Sequence, residues 1–106
     1  MIVVTSGTQA ATLTTKHQLY TTANAGVYEL LVDTTAMANG DVLELYIDAV
    51  YKSGGSSIQT HYATFAHVQS DPGKVSVPVI APYGATFHLK QTLGTGRSYD
   101  WCITSA

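Results

Sequence analysis

Apolar and polar residues alternate with a period of two along most of the chain. From Val27 to Asp33, Tyr28, Leu30 and Val32 fall on one face, and Val27, Glu29, Leu31 and Asp33 on the other. From Asp41 to Tyr51 the alternation is cleaner. Leu43, Leu45, Ile47, Ala49 and Tyr51 face one way, and Val42, Glu44, Tyr46, Asp48 and Val50 the other. Successive side chains of a strand point to opposite faces, so both segments read as strands half buried in a sheet, with Glu44 and Asp48 marking the wet face. Val75, Val77 and Val79 alternate with Ser76 and Pro78; Phe87 and Leu89 with Thr86, His88 and Lys90; Tyr99, Trp101 and Ile103 with Asp100, Cys102 and Thr104. Pro78 cannot donate to a ladder, which places its strand at an edge or a bulge. Ile58 to Val68 is rich in β-formers but ambiguous in parity, because Ile58, Tyr62, Ala66 and Val68 oppose Ala63 and Phe65. Ala11 and Leu13, then Leu19 within Gln18–Thr22, suggest one or two weaker strands.

Turn residues separate these runs. Asn39-Gly40-Asp41, Ser53-Gly54-Gly55-Ser56-Ser57, Asp71-Pro72-Gly73, Pro82-Tyr83-Gly84 and Gly94-Thr95-Gly96 all favour chain reversal. Asp33 or Thr34 is placed to cap a single helical turn. No segment carries a helical period of useful length. About seven or eight short strands at regular spacing predict an all-β chain, folded as a β-sandwich or a small barrel. The expected core is Tyr28, Leu30, Val32, Leu43, Leu45, Ile47, Phe87, Leu89, Trp101 and Ile103.

The 106 residues amount to one domain. Charged residues make up 11% of the chain, far below the ~25% of an average globular protein. Its surface is therefore built from Thr, Ser, Gln, Asn and Gly. A net charge of -2 leaves no basic footprint for nucleic acid and no polybasic membrane anchor. Met1 to Thr5 has neither the basic nor the apolar region of an export signal, and no stretch approaches the ~20 apolar residues of a membrane span. The expectation is a complete small gene product, used without export. The single cysteine, Cys102, excludes an intramolecular disulfide.

Candidate chemistry thins out on inspection. His61 and His67 share strand parity, yet six residues of strand separate them by roughly 20 Å, too far to share one ion. His17 and His88 have no acidic residue at ligand spacing, and no metal or cofactor is expected. Cys102 sits inside a strand between Trp101 and Ile103, with no exposed elbow of a nucleophile. Glu29, Asp33, Asp41, Glu44 and Asp48 read as a solvated face, not a hydrolytic pair. Gly94-Thr95-Gly96-Arg97 lacks the Lys-Ser/Thr of a phosphate loop. Arg97, the one arginine, suits pairing with a carboxylate, either Asp100 or one on a partner. Tyr46 and Tyr62 share faces with polar residues. Such tyrosines serve protein interfaces, carbohydrate sites or cross-strand packing. No acid, base and nucleophile converge, so no enzymatic activity is expected.

Two stretches carry a resemblance. One is Gly26-Val27-Tyr28-Glu29-Leu30-Leu31-Val32-Asp33, followed by Met37-Ala38-Asn39-Gly40-Asp41-Val42-Leu43-Glu44-Leu45. The other is Leu89-Lys90-Gln91-Thr92-Leu93-Gly94-Thr95-Gly96-Arg97-Ser98-Tyr99-Asp100-Trp101. Over Gly26 to Ile103 the chain resembles the small jelly-roll-like head decoration, or cement, proteins of tailed bacteriophages. That resemblance implies one jelly-roll-like β-sandwich over residues 1–106. It implies a capsid-binding role on the outside of the phage head, assembly in the bacterial cytoplasm, and no catalytic residue. The implied partners are the phage major capsid protein and the chain itself, as a dimer or trimer. Low net charge allows many copies to sit side by side on a shell. Met1, Ile2, Val3 and Val4, at the start of a candidate arm over residues 1–8, form either that arm, adding a strand to a neighbour, or a first edge strand. With Tyr46, Tyr62 and Arg97 they are the candidate capsid or self interface. The alternative is a carbohydrate-binding module in which Tyr46, Tyr62 or Tyr83 stacks on a sugar ring.

Overall fold

The computed structural model describes Met1–Ala106 and holds nine strands. They are β1 (Ile2–Ala10), β2 (His17–Thr22), β3 (Gly26–Asp33), β4 (Val42–Val50), β5 (Ser57–Ala66), β6 (Gly73–Val75), β7 (Val79–Ala81), β8 (Ala85–Leu93) and β9 (Ser98–Ser105). All pairings are antiparallel. The first sheet runs β1-β9-β3-β6, with β7 also on β3; the second runs β2-β8-β4-β5. Because β6 and β7 lie along the same edge of β3, they act as one strand broken over Ser76–Pro78. Nine segments thus fill eight strand positions, and Pro78 marks an edge as its missing N–H requires. The first strand pairs with the last, and the chain winds inward between two sheets. This is jelly-roll topology.

The inner faces bury the residues that the alternation selects. Leu43, Phe87, Leu89 and Ile103 are fully buried, and Tyr28, Leu30, Val32, Leu45 and Ile47 nearly so. The Tyr28 ring meets Phe87 edge-on, with centroids 6.3 Å apart. Trp101 departs from expectation: it is half-buried against the core beneath Gly7 of β1. Tyr99, by contrast, is fully buried.

Two stretches differ from the sequence reading. The first strand is Ile2–Ala10, not a weak strand near Ala11 and Leu13, and in this chain residues 1–8 take the edge-strand form of the two offered for them, paired with β9. Its inward positions, Thr5, Gly7 and Gln9, lie opposite Ile103, Trp101 and Tyr99. Those large side chains fill the space beneath, so β1 carries small or polar residues where alternation calls for apolar ones. In β5, Ile58 and Thr60 pair with Ala49 and Ile47, while Ala63 and Phe65 pair with Leu45 and Leu43. The register slips at Tyr62. That β-bulge flips the parity and explains the mixed pattern over Ile58–Val68.

Candidate interaction surfaces

At one end of the sandwich the turns Ala11–Lys16, Thr34–Asp41, His67–Pro72 and Gly94–Arg97 come together. Asp41 is buried there, at 1% exposure. Its Oδ2 accepts hydrogen bonds from Arg97 Nε and Ala38 N, both at 2.9 Å, and its Oδ1 accepts from Thr95 N at 3.2 Å. Burial alone would raise the Asp41 pKa, but these donors and the Arg97 charge outweigh it and hold the carboxyl below its usual value. Gln91 completes the cluster. Its Oε1 accepts from Arg97 N and the Tyr99 hydroxyl, and its Nε2 donates to the carbonyls of Leu93 and Thr95. Burial, then the nearby Asp41 charge, pushes the Tyr99 phenol up to about 12. Gly94 has φ +89°, and a Cβ there would collide with Asp41. The Gly-Thr-Gly-Arg run is therefore a closure that ties two loops together. Arg97 pairs with Asp41 rather than with Asp100.

The outer face of the second sheet carries a polar cluster around Tyr46. That ring is buried, at 8% exposure. His61 stacks on it at 4.8 Å and the Lys16 ammonium lies 4.8 Å from its centroid. Its hydroxyl donates to Glu44 Oε1 at 2.7 Å. This bond, then burial, raises the Tyr46 pKa. Asp48 lies 3.5 Å from Lys16 and 3.8 Å from His88 Nδ1. Burial, then the Lys16 charge, lowers the His88 pKa, against the pull of Asp48. Tyr46 thus offers no open ring to a partner or a sugar, contrary to the sequence reading. Tyr62 is half-buried, and its hydroxyl accepts from Val77 N at 3.2 Å across the gap between the sheets. It bridges β5 to the broken edge.

The remaining histidines serve the loops. His17 Nε2 accepts from Thr12 N, and His67 Nδ1 accepts from Gly40 N. Cys102 is half-buried on the outer face of the first sheet, paired in register with Ser6 and Leu31. No three His, Cys, Asp or Glu side chains converge in metal-ligating range.

The opposite end is formed by the turns Ala23–Ala25, Tyr51–Ser56 and Pro82–Gly84, and by the start of β1. It is apolar. Met1, Ile2, Tyr51 and Ile80 are all more than 60% exposed, and Tyr83 and Ile58 nearly half exposed. Lys52 is the one charged side chain in those three turns. Beside this end an apolar cleft opens between β5 and β7, lined by Ile47, Ala49, Tyr62, Val79 and Ile80. Of the candidate residues Met1–Val4, the first three are exposed here, whereas Val4 is the unpaired residue of a bulge and packs on the core. Tyr51 and Ile80 were not singled out from sequence. One continues a core-facing alternation past its strand and the other sits on a three-residue strand, so nothing local marks them as exposed.

The strand order and the two opposed ends define an all-β jelly-roll domain. No family model and no curated protein matches the chain. A solved structure of infectious bursal disease virus Gt strain contains a chain with this fold. The TM-score is 0.53, at 11% identity over 98% of this chain and 30% of that one. The structure of the Gx strain gives a TM-score of 0.50, at 12% identity over 94% of this chain and 27% of that one. This chain spans less than a third of the length of either, and at such identity the likeness is one of fold.

Proposed function

We propose that this protein is a structural, non-enzymatic component of a virus particle. In this reading it binds the outside of an assembled phage head and clamps neighbouring capsid subunits. The observation that carries the reading is the asymmetry between the two ends of the jelly roll. One end is knitted by buried polar closures and carries Lys16, Asp41, Asp71 and Arg97 in its turns. The other exposes Met1, Ile2, Tyr51, Ile58, Ile80 and Tyr83 around a single lysine, against only Leu13, Val68 and Leu93 at the first. Depletion of charge with enrichment of Tyr and apolar side chains is the composition of an interface core. Two virus structures contain chains of the same fold, which supports a role in a particle.

The mechanism is burial of the apolar end across a joint between subunits, so that parting the joint re-exposes that surface to water. Many identical weak contacts on one shell then act together. The test is quantitative mass spectrometry of purified particles, followed by heat challenge of particles with and without the protein. The expected result is a copy number that is a simple fraction of the shell subunits, with a higher rupture temperature when the protein is present. Absence from particles overturns the reading. Presence without a gain in rupture temperature overturns the clamping part.

A further inference from the structure

We infer that β1 is a seam between two copies of this chain, paired antiparallel about a two-fold axis through Gly7. This goes beyond the capsid role and does not depend on it. An edge strand presents a row of unpaired N–H and C=O groups, and proteins guard such edges with charge, proline, bulges or short length. Three of the four edges here are guarded. The β6/β7 edge is broken at Pro78 and carries Lys74. Strand β2 is six residues long and bulged between Gln18 and Tyr20. Strand β5 is bulged near its middle, at Tyr62. Strand β1 has no such device along its main run. Residues 1–10 hold no charged residue and no proline, and Thr5 to Ala10 pair with Ile103 to Ser98 in unbroken register. Its one bulge, at Val4, lies at the strand's beginning.

The sequence of the strand is self-complementary. A two-fold axis at Gly7 sets Ser6 opposite Thr8 and Thr5 opposite Gln9. Hydroxyl and amide side chains then face one another, and the axis itself holds no side chain. Pairs of Thr and Ser across antiparallel strands are favourable. Charge does not oppose the meeting. The ionised residue in register with the seam is Asp100 on β9, which already accepts the Thr8 hydroxyl at 2.5 Å. The two copies of Asp100 lie three strand spacings apart, about 14 Å, beyond the screening length of about 8 Å in physiological salt. The product is one continuous sheet across two sandwiches. A seam of about six residues per copy is smaller than the roughly 20–30 residues a side of a stable interface. The pairing is therefore reversible.

Sedimentation velocity over micromolar to millimolar concentrations tests the seam. The expected result is a monomer–dimer equilibrium that Ser6→Lys shifts at least tenfold toward monomer without changing the melting temperature. Amide hydrogen exchange on the unaltered chain provides a second readout. Outward-facing amides within Thr5–Ala10 gain protection as concentration rises. A monomer at every concentration overturns the proposal. So does a dimer that survives Ser6→Lys but is lost in Gln59→Pro, which assigns the seam to β5. Concentration-independent exchange in β1 overturns it as well.

Discussion

Arg97 Nε donates to Asp41 Oδ2 at 2.9 Å across 56 residues of sequence. This bond joins the two stretches that carry the sequence resemblance, so their residues are one structural unit rather than two motifs. Arg97→Ala leaves a buried carboxylate with backbone donors alone. Removing one partner of a fully buried pair costs about 3–5 kcal/mol. The Arg97 side chain is 32% exposed, which lowers the expected loss to about 2–3 kcal/mol. Urea denaturation measures it, and a loss under about 0.5 kcal/mol would show the pair to be incidental.

Gly94→Ala and Gly40→Ala separate backbone strain from collision. Both residues have positive φ, at +89° and +95°, but a Cβ at Gly40 meets nothing within 4 Å while one at Gly94 strikes Asp41. Gly40→Ala is expected to cost about 1 kcal/mol from strain alone. Gly94→Ala should cost at least about 2 kcal/mol more, because the buried carboxylate must move. Equal losses in thermal melts would mean that the loop relaxes around the added methyl.

Stability should depend on pH in three windows. The His88 pKa is lowered in the folded state, so its contribution is whole above the unfolded value of 6.5 and is lost as pH falls through the folded value. Asp41 behaves likewise below its unfolded value of 3.8. Tyr99 is raised to about 12, so its contribution is whole below pH 10 and is lost as pH rises toward 12. Denaturation midpoints against pH should therefore fall at both extremes. His88→Gln should flatten the slope just below pH 6.5 and leave the alkaline limb in place.

The apolar end should bear on binding and not on folding. Ile80→Lys and Tyr83→Lys alter exposed side chains, so each is expected to change stability by under about 0.5 kcal/mol. On the proposed capsid reading, each weakens co-sedimentation with particles at least tenfold. Undiminished co-sedimentation of both variants would move the docking surface elsewhere.

The sequence reveals most clearly the parts that obey one simple rule. Leu43, Leu45 and Ile47 alternate because β4 lies between β8 and β5 with one face on the core. The same rule exposes Tyr28, Leu30 and Val32, and Phe87 and Leu89. It fails where side chains of another strand occupy the space. Thr5, Gly7 and Gln9 face inward but leave the volume to Ile103, Trp101 and Tyr99, so β1 reads as a polar segment. It also fails for buried polar residues. Asp41 and Gln91 are as buried as any leucine, and their partners are set by how distant loops meet. A carboxylate next to an Asn-Gly turn looks solvated until Arg97 is placed beside it. Tyr46 misleads in the opposite sense: it lies on the wet face, and Lys16 and His61 cover it there.

The pairing of β1 with β9 sets when this molecule can fold. Ile2 meets Ser105, and Ala10 meets Ser98, so β1, made before the other strands of the sandwich, waits for β9, made after them. Until then β3 lacks its central neighbour, and the Tyr99, Trp101 and Ile103 side chains that roof the core do not yet exist. Sheet closure is thus a late, long-range event, and all-β chains with such pairings fold over milliseconds to seconds. A nascent chain stalled before Ser98 would hold an open half-sandwich with a bare apolar floor, a natural substrate for chaperones.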